Sequence, residues 1–106
     1  ADDRALDGHL IAGLEPAGVP RGLKGSAIPF QYNDLEDFLK KISLYKDEIG
    51  VVVVETIRNY YPENDFLTTI RDATEKEKIV LIFDEITSGW RLTVGGAHLI
   101  FNVEPD

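Results

Sequence analysis

The sequence lacks cysteine and methionine, and it has no apolar run of the length that a membrane span requires. The absence of cysteine excludes disulfide frameworks and thiolate metal sites, although it does not identify the cell compartment. A membrane helix needs about 20 consecutive apolar residues, and no charged and then apolar N-terminal segment indicates a signal peptide. We therefore expect a soluble protein in a cytoplasmic setting. Because the chain opens at Ala1 and contains no methionine, we expect a processed product or an excised piece.

Basic side chains are also scarce in this sequence. Eleven lysines and arginines stand against 19 acidic residues, which gives a formal net charge of -8. Nucleic acids and anionic membranes bind clustered lysine and arginine, so we expect neither as a partner. The 106 residues, of which 43% are hydrophobic, are enough for one small domain with a single core.

Glycine and proline concentrate at the start of the chain. Residues 1–33 hold five of the nine glycines and three of the five prolines. This spacing interrupts helices and long strands, so we predict an extended arm over residues 1–33. Within it, residues 27–33 could carry one short strand, which Pro29 would confine to a sheet edge or a strand start.

Two stretches have the periodicity of amphipathic helices. Residues 34–47 place apolar side chains at helical spacing, and Asn33 with Glu36 resembles a capping box before them. The pattern recurs from residue 66 to about residue 77, after a capping residue at position 64 or 65. We predict two helices whose polar faces lie in solvent.

Two apolar runs predict parallel strands. Residues 51–55 are β-branched up to Glu55, and residues 79–83 form a second apolar run. This composition is typical of strands that are covered on both faces in a parallel sheet. Strand, helix and strand in this order form a βαβ unit, so we predict an α/β fold.

Acidic residues stand at the ends of both predicted strands. Parallel strands end at the same edge of a sheet, so Glu55, Asp84 and Glu85 should converge on one crevice. A phosphate-loop ATPase also ends a strand with Asp-Glu, but the sequence has no G-x-x-x-x-G-K-[ST] loop. A nucleophilic triad is disfavoured because no G-x-S-x-G elbow occurs. A hard-cation site built from the three carboxylates remains an alternative.

An unpaired carboxylate at the end of a buried strand is costly unless a cation balances it, and a protonated pyridine nitrogen is such a cation. The stretch LIFDEITSGWRLTVGGAH, residues 81–98, resembles the signature of class-III aminotransferases of pyridoxal-phosphate fold type I. The resemblance is closest to the glutamate-1-semialdehyde aminomutase-like branch. Residues 13–25, 29–38 and 51–59 are similar to further stretches of that branch, in the same order.

The resemblance implies that residues 1–106 are one segment of the family's large domain, a partial three-layer α/β/α arrangement with parallel strands. It implies pyridoxal 5'-phosphate as the cofactor, with Asp84 paired to the pyridine nitrogen and Ile86 packed on one face of the ring. Glu55 and Asn59 resemble the positions beside the phenolic oxygen and the substrate. Thr56 departs from the pattern, since proline is common there, and the turn after Asn59 is shorter than in the aminomutases.

The resemblance also implies what this chain does not contain. The lysine that holds the cofactor as a Schiff base is expected beyond Asp106, and the loop that grips its phosphate is expected before Ala1. We therefore expect an inactive segment of a homodimeric aminotransferase or aminomutase that uses a small-molecule amino donor and acceptor. Its substrate would be an amino acid, an amino-aldehyde or an amino sugar. A non-catalytic α/β binding or assembly module is the alternative.

Overall fold

The computed structural model of the chain describes Gly8 and residues 14–106. The chain divides into two compact units, with the boundary between Gln31 and Tyr32. The predicted arm over residues 1–33 therefore lies partly outside the described residues.

The described residues of the first unit form turns and one short 3-10 helix, Arg21–Leu23. The Arg21 guanidinium donates to the carbonyl of Val19 at 3.3 Å, which braces this turn. Residues 27–33 form no strand, so that expectation was wrong. Pro29 has no N–H to contribute to a ladder, and the short apolar stretch around it does not compensate for that loss.

Two parallel strands, β1 (Val51–Glu55) and β2 (Val80–Asp84), form the sheet of the second unit. The register pairs Val51 with Val80 and Glu55 with Asp84. The predicted strands are confirmed to within one residue at each end, and the predicted βαβ unit is present.

Two helices accompany the sheet, α1 (Leu35–Tyr45) and α2 (Phe66–Lys76). Both predicted helices are confirmed to within two residues at each end. α1 packs against α2, and α2 packs against β2. The apolar side chains that the two helices bury are Phe38 and Ile42 of α1 and Phe66, Leu67 and Ile70 of α2.

The start of α1 differs from the predicted capping box. Asp34 is the N-cap, and its Oδ1 accepts from the Asp37 N–H at 2.9 Å. Asn33 instead has a φ of 64°, and its side chain donates to the Tyr61 carbonyl at 2.9 Å and accepts from the Glu63 N–H at 2.8 Å. Asparagine tolerates this left-handed conformation better than most residues. Asn33 therefore ties the entry of α1 to the loop that precedes α2.

The sheet is buried on one face only. Leu81 is fully buried on the face that α2 covers, and Val52 and Val54 share that face at 6% exposure each. The residues on the other face are between 38% and 48% exposed, namely Val51, Val53, Val80 and Ile82. The expectation of strands covered on both faces was therefore wrong for this unit, because none of the unit's own described helices lies over the second face.

The chain after β2 turns, forms the one-turn helix α3 (His98–Phe101) and returns to the sheet. Asn102, with a φ of 56°, ends α3. The Asp106 N–H donates to the Leu81 carbonyl at 3.0 Å, and the Leu81 N–H donates to Asp106 Oδ2 at 2.8 Å. Arg71 of α2 holds the same carboxylate at 3.2 Å. None of the described helices is long and apolar enough to cross a membrane.

Candidate functional site

The carboxyl edge of the sheet brings Glu55 and Asp84 together as register partners on neighbouring strands. Successive residues of a strand face opposite sides, so both residues share the exposed face with Val53 and Ile82. Two of the four predicted site residues therefore lie side by side at the rim of an open apolar surface.

Glu55 has a cation beside it. Its Oε1 accepts from Arg58 Nη1 at 3.1 Å, three residues along the chain. Burial, and secondarily the Glu55 carboxylate, raises the pKa of Tyr32 to about 12. The Tyr32 hydroxyl, which is protonated at neutral pH, donates to the Thr56 carbonyl at 2.7 Å and braces the exit of β1.

Asp84 has no cationic partner among the described residues. Its Oδ1 accepts from the Ile86 N–H at 3.0 Å, as in an Asx turn. The side chain is only partly buried, and no described lysine, arginine or histidine forms an ion pair with it. This edge of the sheet therefore presents a carboxylate that a cation could still balance.

Ile86 and Asn59 both lie on the chain where it leaves this edge. Ile86 is 92% exposed within the described part of the chain, so it does not serve the core of this unit. Asn59 is exposed in the bend formed by residues 56–60. Ile86 follows the end of β2 by two residues, and Asn59 follows the end of β1 by four. Both side chains are exposed and therefore accessible to a ligand.

Glu85 does not converge with Glu55 and Asp84 on one crevice, as the sequence predicted, but belongs to a polar cluster with Thr56 and His98. Its Oε1 accepts from the Thr56 hydroxyl at 2.9 Å and from the His98 N–H at 2.7 Å, and it lies 3.2 Å from His98 Nδ1. Thr56 is fully buried, and the Glu85 side chain is 15% exposed. Burial acts to raise the pKa of Glu85, but the bonds from His98 and Thr56 outweigh it and lower that pKa below its ordinary value.

One signal in the sequence could have revealed this orientation. Adjacent residues at a strand end face opposite sides of the sheet, so Asp84 and Glu85 are poorly placed to share one ligand. This geometry removes the basis for a hard-cation site built from Glu55, Asp84 and Glu85. Across the described residues, no three acidic or histidine side chains are grouped closely enough to hold a metal ion.

The sequence is similar to those of known aminomutases. No family model matches the chain. A glutamate-1-semialdehyde 2,1-aminomutase of Francisella tularensis is 37% identical over 93 residues, which are 84% of this chain and 22% of that protein. The protein of the same name from Cytophaga hutchinsonii is 36% identical over 107 residues, covering 96% of this chain and 25% of its own length.

A solved structure shows the same fold. The crystal structure of an omega-transaminase from Sphaerobacter thermophilus matches 84% of this chain with a TM-score of 0.76 and 31% sequence identity. The match covers 21% of that transaminase chain. The chain thus spans between 21% and 25% of the length of these three relatives.

Proposed function

Because this chain is a segment of class-III aminotransferase type, related to the glutamate-1-semialdehyde 2,1-aminomutases, we propose that it forms one wall of a pyridoxal 5'-phosphate site. This wall faces the pyridine nitrogen of the cofactor. The observation that carries the proposal is Asp84, a strand-end carboxylate on the open face of the sheet with no cationic partner among the described residues.

The described residues fit such a cofactor. A protonated ring nitrogen is the cation that Asp84 lacks, and the exposed Ile86 side chain offers an apolar surface to one face of the ring. When bound, the cofactor draws electrons from the substrate carbon. Asp84 holds the proton on the ring nitrogen through a charge-assisted hydrogen bond, which is stronger than a bond between neutral groups.

Glu55 and Asn59 are assigned to the side of the phenolic oxygen and the substrate. Glu55 adjoins Asp84 in the register, and Asn59 lies on the bend that follows β1. Arg58 partly offsets the Glu55 charge, so the two neighbouring carboxylates repel each other less than an uncompensated pair would.

The whole protein is proposed to be an aminotransferase or aminomutase, a cytoplasmic homodimer that acts on an amino acid, an amino-aldehyde or an amino sugar. The net charge of -8 supports a small-molecule partner over a nucleic acid. In an enzyme of this kind a lysine is the covalent anchor of the cofactor. Lys76 and Lys78 are unsuitable because they lie at the end of β2 opposite Asp84.

The test is Asp84→Asn in the full-length protein that contains this segment. A hydrogen bond to a charged group is worth about 1.5–3 kcal/mol, so we expect turnover to fall at least about tenfold. We also expect the visible absorption of the bound cofactor to change, because its ring nitrogen loses its anionic partner.

Asp72→Asn is the matched control, because Asp72 is an exposed carboxylate on α2, away from the sheet edge. It should leave both turnover and absorption unchanged. Unaltered absorption and turnover in Asp84→Asn would reject the assignment, and a full-length protein that binds no cofactor would favour the non-catalytic module.

A further inference from the structure

Glu85 lies between the two residues assigned to the cofactor ring, Asp84 and Ile86, but its carboxylate is bound elsewhere. Its three side-chain contacts come from two other parts of the chain, Thr56 at the exit of β1 and His98 at the start of α3. All three converge on a single oxygen, Oε1. One carboxylate therefore joins the ends of both strands to the first turn of α3.

The turn that follows Glu85 is closed by a main-chain hydrogen bond and leaves room for the Glu85 carboxylate. The Gly89 N–H donates to the Glu85 carbonyl at 2.8 Å, which closes the turn after β2. A Cβ added at Gly96 would collide with Glu85 Oε2 and with the His98 ring. Glycine at position 96 therefore leaves the space that this carboxylate occupies.

Asp84 depends on the path of this turn. The one hydrogen bond that its carboxylate accepts among the described residues comes from the Ile86 N–H, so the direction of the carboxylate follows the main chain through residues 84–86. Glu85 is the residue of that stretch whose side chain is tied to other elements. A displacement of Glu85 would move both of its neighbours.

We propose that Glu85 is a positioning residue that fixes the main chain at residues 84–86 and so directs the Asp84 carboxylate toward the ring nitrogen. This inference rests on the proposed function. Thr56 takes part in the arrangement, because its hydroxyl donates to Glu85 and a proline at that position would have no such donor.

The test compares Glu85→Gln and Gly96→Ala with Asp84→Asn, all in the full-length protein loaded with pyridoxal 5'-phosphate. The readouts are the pH profile of the cofactor's visible absorption, the cofactor dissociation constant and amide hydrogen exchange over residues 84–98. We expect Glu85→Gln and Gly96→Ala to shift the pH profile in the same direction as Asp84→Asn. We further expect them to weaken cofactor binding about tenfold and to speed exchange over residues 84–98.

Glu104→Gln is the control, since Glu104 approaches the other nitrogen of His98 at 3.6 Å and its side chain is 75% exposed. It should leave all three readouts unchanged. If Glu85→Gln does not fold, Thr56→Val removes one donor to the same oxygen while keeping the side-chain volume, and it takes the place of Glu85→Gln in the comparison.

A normal pH profile and normal cofactor affinity in Glu85→Gln would overturn the inference even if its melting temperature falls, since a purely structural residue would give that result. The proposed function itself fails if Asp84→Asn is also without effect on the cofactor. A response to Asp84→Asn without a response to Glu85→Gln therefore overturns the positioning role alone.

Discussion

Two adjacent carboxylates, Asp84 and Glu85, have opposite environments at the end of β2. Asp84 accepts one main-chain hydrogen bond on the open side of the sheet, whereas Glu85 accepts from Thr56 and His98 in a half-buried cluster. Strand geometry separates them, because neighbouring residues face opposite sides. The same functional group is therefore available to a ligand at one position and committed to the fold at the next.

The low pKa of Glu85 predicts a dependence of stability on acid. A carboxyl group whose pKa is lower in the folded state stabilises the protein above its unfolded pKa of about 4.3, and this contribution disappears as the pH falls through the folded pKa. We expect the free energy of unfolding of the native protein to decrease on this account below about pH 4. Glu85→Gln should lose about 1–3 kcal/mol at pH 7 and show a weaker acid dependence.

Urea unfolding at several pH values between 3 and 7 measures both effects. Glu75→Gln, a change at an exposed glutamate of α2, should retain the acid dependence of the native protein. Parallel stability profiles for Glu85→Gln and the native protein would show that the Glu85 carboxylate makes no such contribution.

At the scale of residues, the sequence was sufficient for the pair at the sheet edge but not for the cluster behind it. The meeting of Glu55 with Asp84 follows from the parallel pairing of two recognisable strands. The contact of Glu85 with His98 depends on the path of the intervening turn, where Trp90 and Gly95 have positive φ values of 64° and 102°. No periodicity in the sequence specifies that path.

At the scale of elements, the first turn of α1 provides a test of local structure. Asp34→Ala removes the side-chain acceptor of the Asp37 N–H and should lower the free energy of unfolding by about 1 kcal/mol. Urea denaturation followed by circular dichroism would measure it. The capping box predicted from Asn33 and Glu36 instead requires a comparable loss in Glu36→Ala, which removes the side-chain acceptor at that position; for this change at an exposed residue the structure predicts a difference within about 0.5 kcal/mol.

The predictability of the elements depended on their length. The helices over residues 34–47 and 66–77 and both strands were recognisable because each repeats its hydrophobic pattern over several residues. α3 has four residues, which is too few to show a periodicity. The start of α1 was misplaced by one residue because Asn33 and Asp34 are both good caps, and only the contacts of Asn33 with the loop before α2 decide between them.

At the scale of the whole molecule, the uncovered sheet face should control the behaviour of the 106-residue chain in solution. The four apolar residues on this face form a contiguous exposed patch, and such patches promote association. We expect Val53→Thr combined with Ile82→Thr to reduce self-association of the chain without changing its circular dichroism spectrum. Sedimentation velocity over a range of concentrations provides the measurement.

Leu44→Thr is the control, because Leu44 is 61% exposed on α1 and lies outside this patch. It should associate like the unmodified chain. Equal association of the double variant and the unmodified chain would show that the sheet face is not the surface through which copies meet.

The uncovered sheet face also shows why the layers packed on the sheet were harder to predict than its strands. The composition of a strand reflects all the neighbours it packs against, and this chain spans only 21–25% of the length of the relatives it matches. Val53 and Ile82 therefore have the apolar character of a doubly covered sheet, although the described residues cover it once. Composition therefore predicted more cover than the described residues of this unit provide.

The two hydrogen bonds between Leu81 and Asp106 fasten the segment that follows β2, residues 85–105, back to the sheet. Trp90, which is 77% exposed, lies within this segment, so a protease could cut there without breaking either of the two bonds. Length changes within the excursion would likewise cost little closure entropy, because that cost grows only slowly with the number of residues. Variation around Trp90 can therefore change the surface of this segment while the strand that carries Asp84 stays bonded to Asp106.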